Sequence, residues 1–285
     1  MTISLIVPIH NAEQYLQNTL QALDEALGPQ DQLIAVFDNC QDRSLSTLER
    51  WRDSRHAGER CEVVISETAF GDVAKSRNRG LELADRSWVA FADHDDYVVP
   101  TIYEELLRGA EHFNADVVRC GYGVKKPQSL EIVYPDFPPD YYAFFGIFIW
   151  NSLFRRELII ENGLRFKPGY GEDYEFNLQI AQYCNHQAFV RKPLYYWNVH
   201  GDNHHLARKP EDFLKRAVGI YSRNLVYLQR NPNAGAAFRI WVTNYLTHLR
   251  ATFGEPQIDA AIKKEGCAES LQNIVSLGLA GERCH

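Results

Sequence analysis

At 285 residues, with 45% hydrophobic and 24% charged side chains, the chain can bury a sizeable core and has the composition of a soluble globular protein. Its net charge of −7 leaves no basic excess for a phosphate backbone, which argues against nucleic acid as the main partner. Six scattered cysteines form no CxxC pair, a pattern that fits reduced thiols better than a disulfide framework or a zinc site. No run of 18 apolar residues occurs, and the first strand-like run lacks the basic lead of a signal peptide. The expected setting is cytoplasmic.

The first 120 residues alternate short apolar runs with helical patterns. Residues 3–7 read as a strand and 12–27 as an amphipathic helix with Tyr15, Leu16, Leu20 and Leu23 on one face. A strand at 33–37 precedes a helix at 44–55. A third strand at 61–65 precedes a helix at 74–84. A fourth at 87–92 precedes a helix at 101–113, and a fifth follows at 116–120. Four β–α units at this spacing predict an α/β fold with a doubly wound, mostly parallel, Rossmann-like sheet.

The pattern then changes. Residues 124–134 read as a β-hairpin, 135–140 as a loop, 144–154 as an aromatic-rich run, 172–183 as a helix and 194–198 as a short strand. From about residue 210 the chain reads as helix at 211–230, 234–253, 257–264 and 268–277. The expected division is a catalytic domain over 1–205 and a C-terminal helical region over 206–285.

Polar groups gather where strands end: Pro8-Ile9-His10-Asn11, Asp38-Asn39-Cys40-Gln41-Asp42, and Asp93-His94-Asp95-Asp96. In a doubly wound sheet the carboxyl ends of strands one, two and four meet along one edge, where ligands bind. Crowded carboxylates call for a counter-charge, and oxygen ligands of this kind suit Mg²⁺ or Mn²⁺, which in turn bind phosphate oxygens. Arg77 and Arg79, on the helix before strand four, bring guanidinium forks to the same crevice. Together these suit a metal-bound nucleoside diphosphate. No GxxxxGK[ST], GxGxxG or GxSxG occurs, which sets aside P-loop, dinucleotide-binding and serine-hydrolase chemistry.

Five segments in order, SLIVPIHNAEQYLQNTL, AVFDNCQDRS, AKSRNRGLELA, VAFADHDDYVVP and GEDYEF, resemble an inverting family 2 glycosyltransferase of GT-A fold. The resemblance covers roughly residues 2–205. It implies that Asp38 reads the nucleotide base, usually uracil, with Pro8 and His10 lining the base pocket. It matches Asp93-His94-Asp95 to the DxD motif, with Asp93 near the ribose and Asp95 on a divalent cation. Arg77 and Asn78 would lie near the nucleotide, His200 near the diphosphate and cation, and Asp173 would be the catalytic base beside Glu172. The chain departs from the pattern at Phe37, where a second acid is common, and at His10, Asn39-Cys40 and Asn203.

The resemblance implies a transferase that moves a sugar from a nucleoside-diphosphate donor, most often UDP-linked, to a glycan or lipid-linked acceptor. Inversion needs a single base, and an aspartate in a helix's first turn is favoured as the ion by the helix dipole. The alternatives are a sugar-nucleotide nucleotidyltransferase and a non-catalytic sugar-binding scaffold. The first of these usually has a glycine-rich basic loop after strand one, and Pro8-Ile9-His10-Asn11 lacks it.

Other features are ambiguous. Trp150 is the aromatic favoured to stand near the acceptor, whereas Tyr141, Tyr142, Phe144, Phe145 and Phe148 read mostly as core. His204 and His205 read as an exposed loop. The cations Arg208, Lys209, Lys215, Arg216, Arg223 and Arg230 form a stripe that suits an anionic membrane surface, but an amphipathic helix packed on the core is the preferred reading. The sequence sets no oligomeric state.

Overall fold

The computed structural model describes residues 1–54, 61–134, 148–169, 171–200 and 209–277. In chain order the first half comprises β1 (Ile3–Ile9), α1 (Glu13–Ala26), β2 (Gln32–Asp38), α2 (Ser44–Asp53), β3 (Glu62–Thr68), α3 (Val73–Leu83), β4 (Trp88–Phe91), β5 (Tyr97–Val98), α4 (Ile102–Phe113) and β6 (Val117–Lys126). Then come β7 (Ser129–Val133), β8 (Ser152–Arg155), α5 (Arg156–Glu161), α6 (Glu172–Ala181) and β9 (Gln187–Asn198). Four helices close the chain: α7 (Pro210–Arg230), α8 (Pro232–Phe253), α9 (Glu255–Glu265) and α10 (Ala268–Ser276).

The strands form one sheet in the order β3-β2-β1-β4-β8-β6-β9-β5, with β7 on β6. Strands β1, β2, β3, β4, β6 and β9 run one way, and β5, β7 and β8 run against them. The expected mostly parallel sheet is therefore mixed beyond β4. Four elements account for the difference. β5 is two residues long, β8 sits at the end of an aromatic-rich run with no clear period, and α5 has only six residues. Most of β9 carries partly exposed side chains that hide it from an apolar-run criterion.

The central strands are buried on both faces, as parallel strands under helices must be. Alternate residues serve different cores. Leu5, Val7, Leu33, Ala35 and Phe37 pack with α1, α2 and α4, whereas Ile6, Ile34, Val36, Val89 and Phe91 pack with α3, α5 and α6. Phe37 is thus a core side chain, 2% exposed. A third core joins α7–α10 and takes in Tyr174 and Leu178 of α6. The proposed division at residues 205 and 206, the loop at 135–140, Tyr141, Tyr142, Phe144, Phe145, Asn203, His204, His205 and Arg208 lie outside the described residues. Among the described residues, no helix is long and apolar enough to cross a membrane, and all cysteines are free thiols.

Candidate active site

β1 pairs in parallel with both β2 and β4, so Pro8, Asp38 and Asp93 reach the same sheet edge. β5 pairs antiparallel with the end of β9, which delivers Tyr195–Asn198 and then His200 to the acidic turn. There Asp93, Asp95 and Asp96 stand in different surroundings. Asp96 is 5% exposed and accepts from Tyr195 Oη at 2.8 Å and from Asn198 N–H at 2.8 Å. Burial first, then the nearby Asp93 and Asp95 carboxylates, push its pKa well above the ordinary carboxylate range. Asp95 Oδ2 lies 2.8 Å from His200 Nε2, and His200 Nδ1 lies 3.2 Å from Tyr15 Oη. The Tyr15 ring stacks on the His200 imidazole with centroids 4.6 Å apart, which fixes its orientation.

α3 and α6 cover the same face of the sheet. α3 sits so close to β1 that a Cβ at Gly80 would collide with Ile6. This seats Arg77, 4% exposed, beneath the acidic turn. Its Nη1 donates to Asp173 Oδ1 at 2.6 Å and to Glu172 Oε1 at 3.1 Å, and its Nη2 to Asp93 Oδ1 at 3.1 Å. One guanidinium thus faces three carboxylates. Although burial acts against the cation, those three charges raise the Arg77 pKa further, so it stays charged.

Asp173 corrects an expectation. The helix dipole was to hold its carboxyl low, yet its pKa is raised well above the ordinary value. Burial is the largest cause; Arg77 pulls it down, and Glu172 and Asp93 push it up. The consequence is a more basic carboxylate than a surface aspartate. Its Oδ1 carries the ion pair, and among the described residues no hydrogen bond engages Oδ2.

Several expected site residues have other occupations. Asp38 is at the expected edge, but its carboxylate accepts from the N–H groups of Phe70, Gly71 and Asp72 at 2.6, 3.0 and 3.0 Å. It also accepts from Ser76 Oγ at 3.2 Å and Thr68 Oγ1 at 3.4 Å. A carboxylate has about four lone-pair sites, so the connection from β3 to α3 saturates it. Burial raises its pKa, but these donors outweigh that and keep it low. Asn78 is not directed at a ligand: it exchanges both amide hydrogen bonds with the Phe166 backbone, each 2.9 Å. Trp150 is 4% exposed and stacked between Phe148 (4.6 Å) and Tyr195 (4.4 Å), so its faces are covered by neighbouring rings. Pro8 is buried within β1 and its carbonyl accepts from His94 Nδ1–H at 3.1 Å, while His10 Nδ1–H donates to the Asp38 carbonyl at 2.6 Å. The basic stripe of α7 is also partly spent, since Arg216 and Arg223 both turn inward to Glu175.

Tyr15, Tyr195, Asn198 and Glu175 were missed as site-shaping residues. Glu175 did carry a signal, an acid within a helix whose residues 174–178 are apolar or amide on every side.

Among the described residues, no three His, Cys, Asp or Glu side chains form a ready-made metal cage. Mg²⁺ and Mn²⁺ do not require one, since such ions commonly sit on one or two protein ligands and complete their shell with phosphate oxygens and water. The Asp95–His200 pair fits that use.

The sequence pattern of glycosyl transferase family 2 matches residues 4–192. EpsH of Bacillus subtilis (strain 168) is 28% identical over 247 residues, spanning 80% of this chain and 70% of its own length. The crystal structure of S. aureus TarS 1-349 in complex with UDP-GlcNAc superposes with a TM-score of 0.76 at 19% identity, covering 96% of this chain and 84% of that one. A mannosyltransferase from Pyrobaculum calidifontis, in complex with GDP-Man and Mn²⁺, gives 0.63 at 17% identity, covering 99% and 79%. The fold is therefore the GT-A fold, and with the family pattern spanning well over half of its length, this chain belongs to glycosyl transferase family 2.

Proposed function

We propose that the protein is an inverting, divalent-metal-dependent glycosyltransferase that moves a sugar from a UDP-linked donor to a hydroxyl of a glycan or lipid-linked acceptor. The observation that carries this reading is the Arg77 hub, which ties the acidic turn after β4 to Asp173 at the start of α6. In this reading the donor-side Asp93 and the acceptor-side Asp173 share one guanidinium and so stand side by side. Family membership favours this reading over the nucleotidyl-transfer and scaffold alternatives.

In this reading Asp173 Oδ2 takes the proton from the acceptor hydroxyl. The acceptor oxygen bonds to the sugar's anomeric carbon, and the bond to the diphosphate breaks with its electron pair leaving on UDP. Attack from the face opposite the leaving group needs one base and inverts the anomeric centre. Asp95 and His200 would hold Mn²⁺ or Mg²⁺, which when bound offsets charge on the departing diphosphate. Asp38 acts on the base pocket through the segment 68–76 it holds, rather than through a spare lone pair.

A thermal-shift screen of nucleoside-diphosphate sugars, with and without Mn²⁺, identifies the donor without knowledge of the acceptor. UDP-sugars are expected to stabilise the protein only with the metal. Asp95→Ala is expected to abolish Mn²⁺-dependent UDP binding in calorimetry; an unchanged affinity removes Asp95 as a metal ligand.

A further inference from the structure

The turn that carries Asp173 is held from two sides. Phe176 and Ile180 of α6 face the sheet, with Phe176 stacked on Phe166 at 4.0 Å. Tyr174 and Leu178 point the other way, into the core that α7, α8, α9 and α10 build. A helix buried on opposite faces cannot roll without unpacking one core.

Two contacts from the C-terminal helices reach the first turn of α6. Trp241 of α8 lies flat against Tyr174, with centroids 4.5 Å apart and rings 6° from parallel. The same indole closes over Gly171, where an added Cβ would stand 3.2 Å from the ring. Gly171 has φ +77°, so glycine answers both the backbone and the room. Residues 171 and 174 bracket Asp173. From α7, Arg216 donates to the Lys167 carbonyl at 2.9 Å and pairs with Glu175 at 2.6 Å, joining the segment before Asp173 to the helix after it. Arg223 adds a two-pronged pair to the same carboxylate at 2.7 and 2.8 Å. Glu175 is 1% exposed. Replacing a buried ion cluster by apolar side chains of like volume is often neutral or stabilising, so its value here is better sought in geometry.

We infer that the C-terminal helices form a positioning element for the base, with Trp241 and the Arg216–Glu175–Arg223 cluster fixing the turn from which Asp173 Oδ2 meets the acceptor. This rests on the reading of Asp173 as the base. Misplacing a reacting group by about 1 Å can cost on the order of 100-fold in rate. Among the described residues, the contacts of Trp241 and of the cluster run to α6, α7, α8 and Lys167 and none to Asp95 or His200, so donor binding should be spared.

The test uses the full-length chain with Trp241→Ala, Trp241→Phe and Glu175→Gln. UDP affinity is measured with Mn²⁺ by calorimetry, and kcat and KM from UDP release with UDP-GlcNAc, UDP-glucose and UDP-galactose, water serving as the acceptor hydroxyl. Trp241→Ala is expected to lose kcat by roughly 100-fold with UDP affinity within about 2-fold, and Trp241→Phe, which keeps the stack, to recover most of it. Glu175→Gln is expected to lose about 10-fold in kcat with the same split. If Trp241→Ala does not fold, Glu175→Gln decides. Unchanged kcat in folded Trp241→Ala or in Glu175→Gln, or losses shared equally with UDP affinity, would overturn the inference. Asp173→Asn assayed alongside separates the two readings. Normal turnover there removes the base assignment itself, whereas an inactive Asp173→Asn beside fully active Trp241 and Glu175 variants removes only the positioning role.

Discussion

Asp173→Asn is expected to fold, to bind UDP with Mn²⁺ as the parent does, and to lose transfer by roughly 10²- to 10⁴-fold, the span general-base catalysis contributes. Asparagine keeps the shape of the side chain and still offers Arg77 an oxygen in place of Asp173 Oδ1, now 2.6 Å away. What it loses is the basic second oxygen. Because burial lifts the Asp173 pKa above that of a surface carboxylate, the acid limb of the parent's kcat profile should stand at higher pH than an ordinary aspartate gives. Steady-state rates across pH test both statements. Full turnover by the asparagine variant would contradict the first, and an acid limb at the usual carboxylate pKa the second.

Arg77→Met is expected to be the most destabilising single change in the site. Arg77 is 4% exposed and is the shared counter-charge of Asp93, Glu172 and Asp173. Removing one partner of a buried ion pair costs about 3–5 kcal/mol, since the remaining charge is uncompensated. The cost depends on pH with a definite sign. Burial, Glu172 and Asp93 all push the Asp173 pKa up and Arg77 alone pulls it down, so the variant raises it further. A carboxyl that holds its proton more tightly folded than unfolded favours the folded state at low pH. That advantage is lost as pH rises from the ordinary carboxylate pKa through the raised one. Melting temperatures of parent and variant should therefore lie closest in acid and separate toward neutrality. A gap that stays constant with pH would show that Arg77 acts by packing alone.

Much of the sheet was legible because β1, β2 and β4 are apolar runs followed by helices of clear period. The acidic turn was legible because strand ends collect polar residues. Other features depend on partners distant in sequence. Tyr195 reads as one more strand aromatic until the antiparallel pairing of Val98 with Tyr195 places its hydroxyl on Asp96. Asp38 and Asn78 carry polar side chains in the right segments, and nothing local tells whether a ligand or the backbone of residues 70–72 and 166 takes their hydrogen bonds. Trp150 shows the same limit, since a tryptophan beside an asparagine looks the same in sequence whether its faces are free or covered by Phe148 and Tyr195. The raised Asp173 pKa follows from burial, which the helix-dipole argument did not include.

The central claim is that one cleft holds a metal-bound UDP-sugar against a base on the opposite face. It is tested most directly by proton NMR of the sugar first released when the α-linked UDP-sugar chosen by the thermal-shift screen is hydrolysed in the presence of Mn²⁺. The β-anomer is expected to appear first, and neither chelator-treated enzyme nor Asp173→Asn should release it at a comparable rate. The α-anomer appearing first, or release that persists without a divalent cation, would contradict the mechanism proposed for this site.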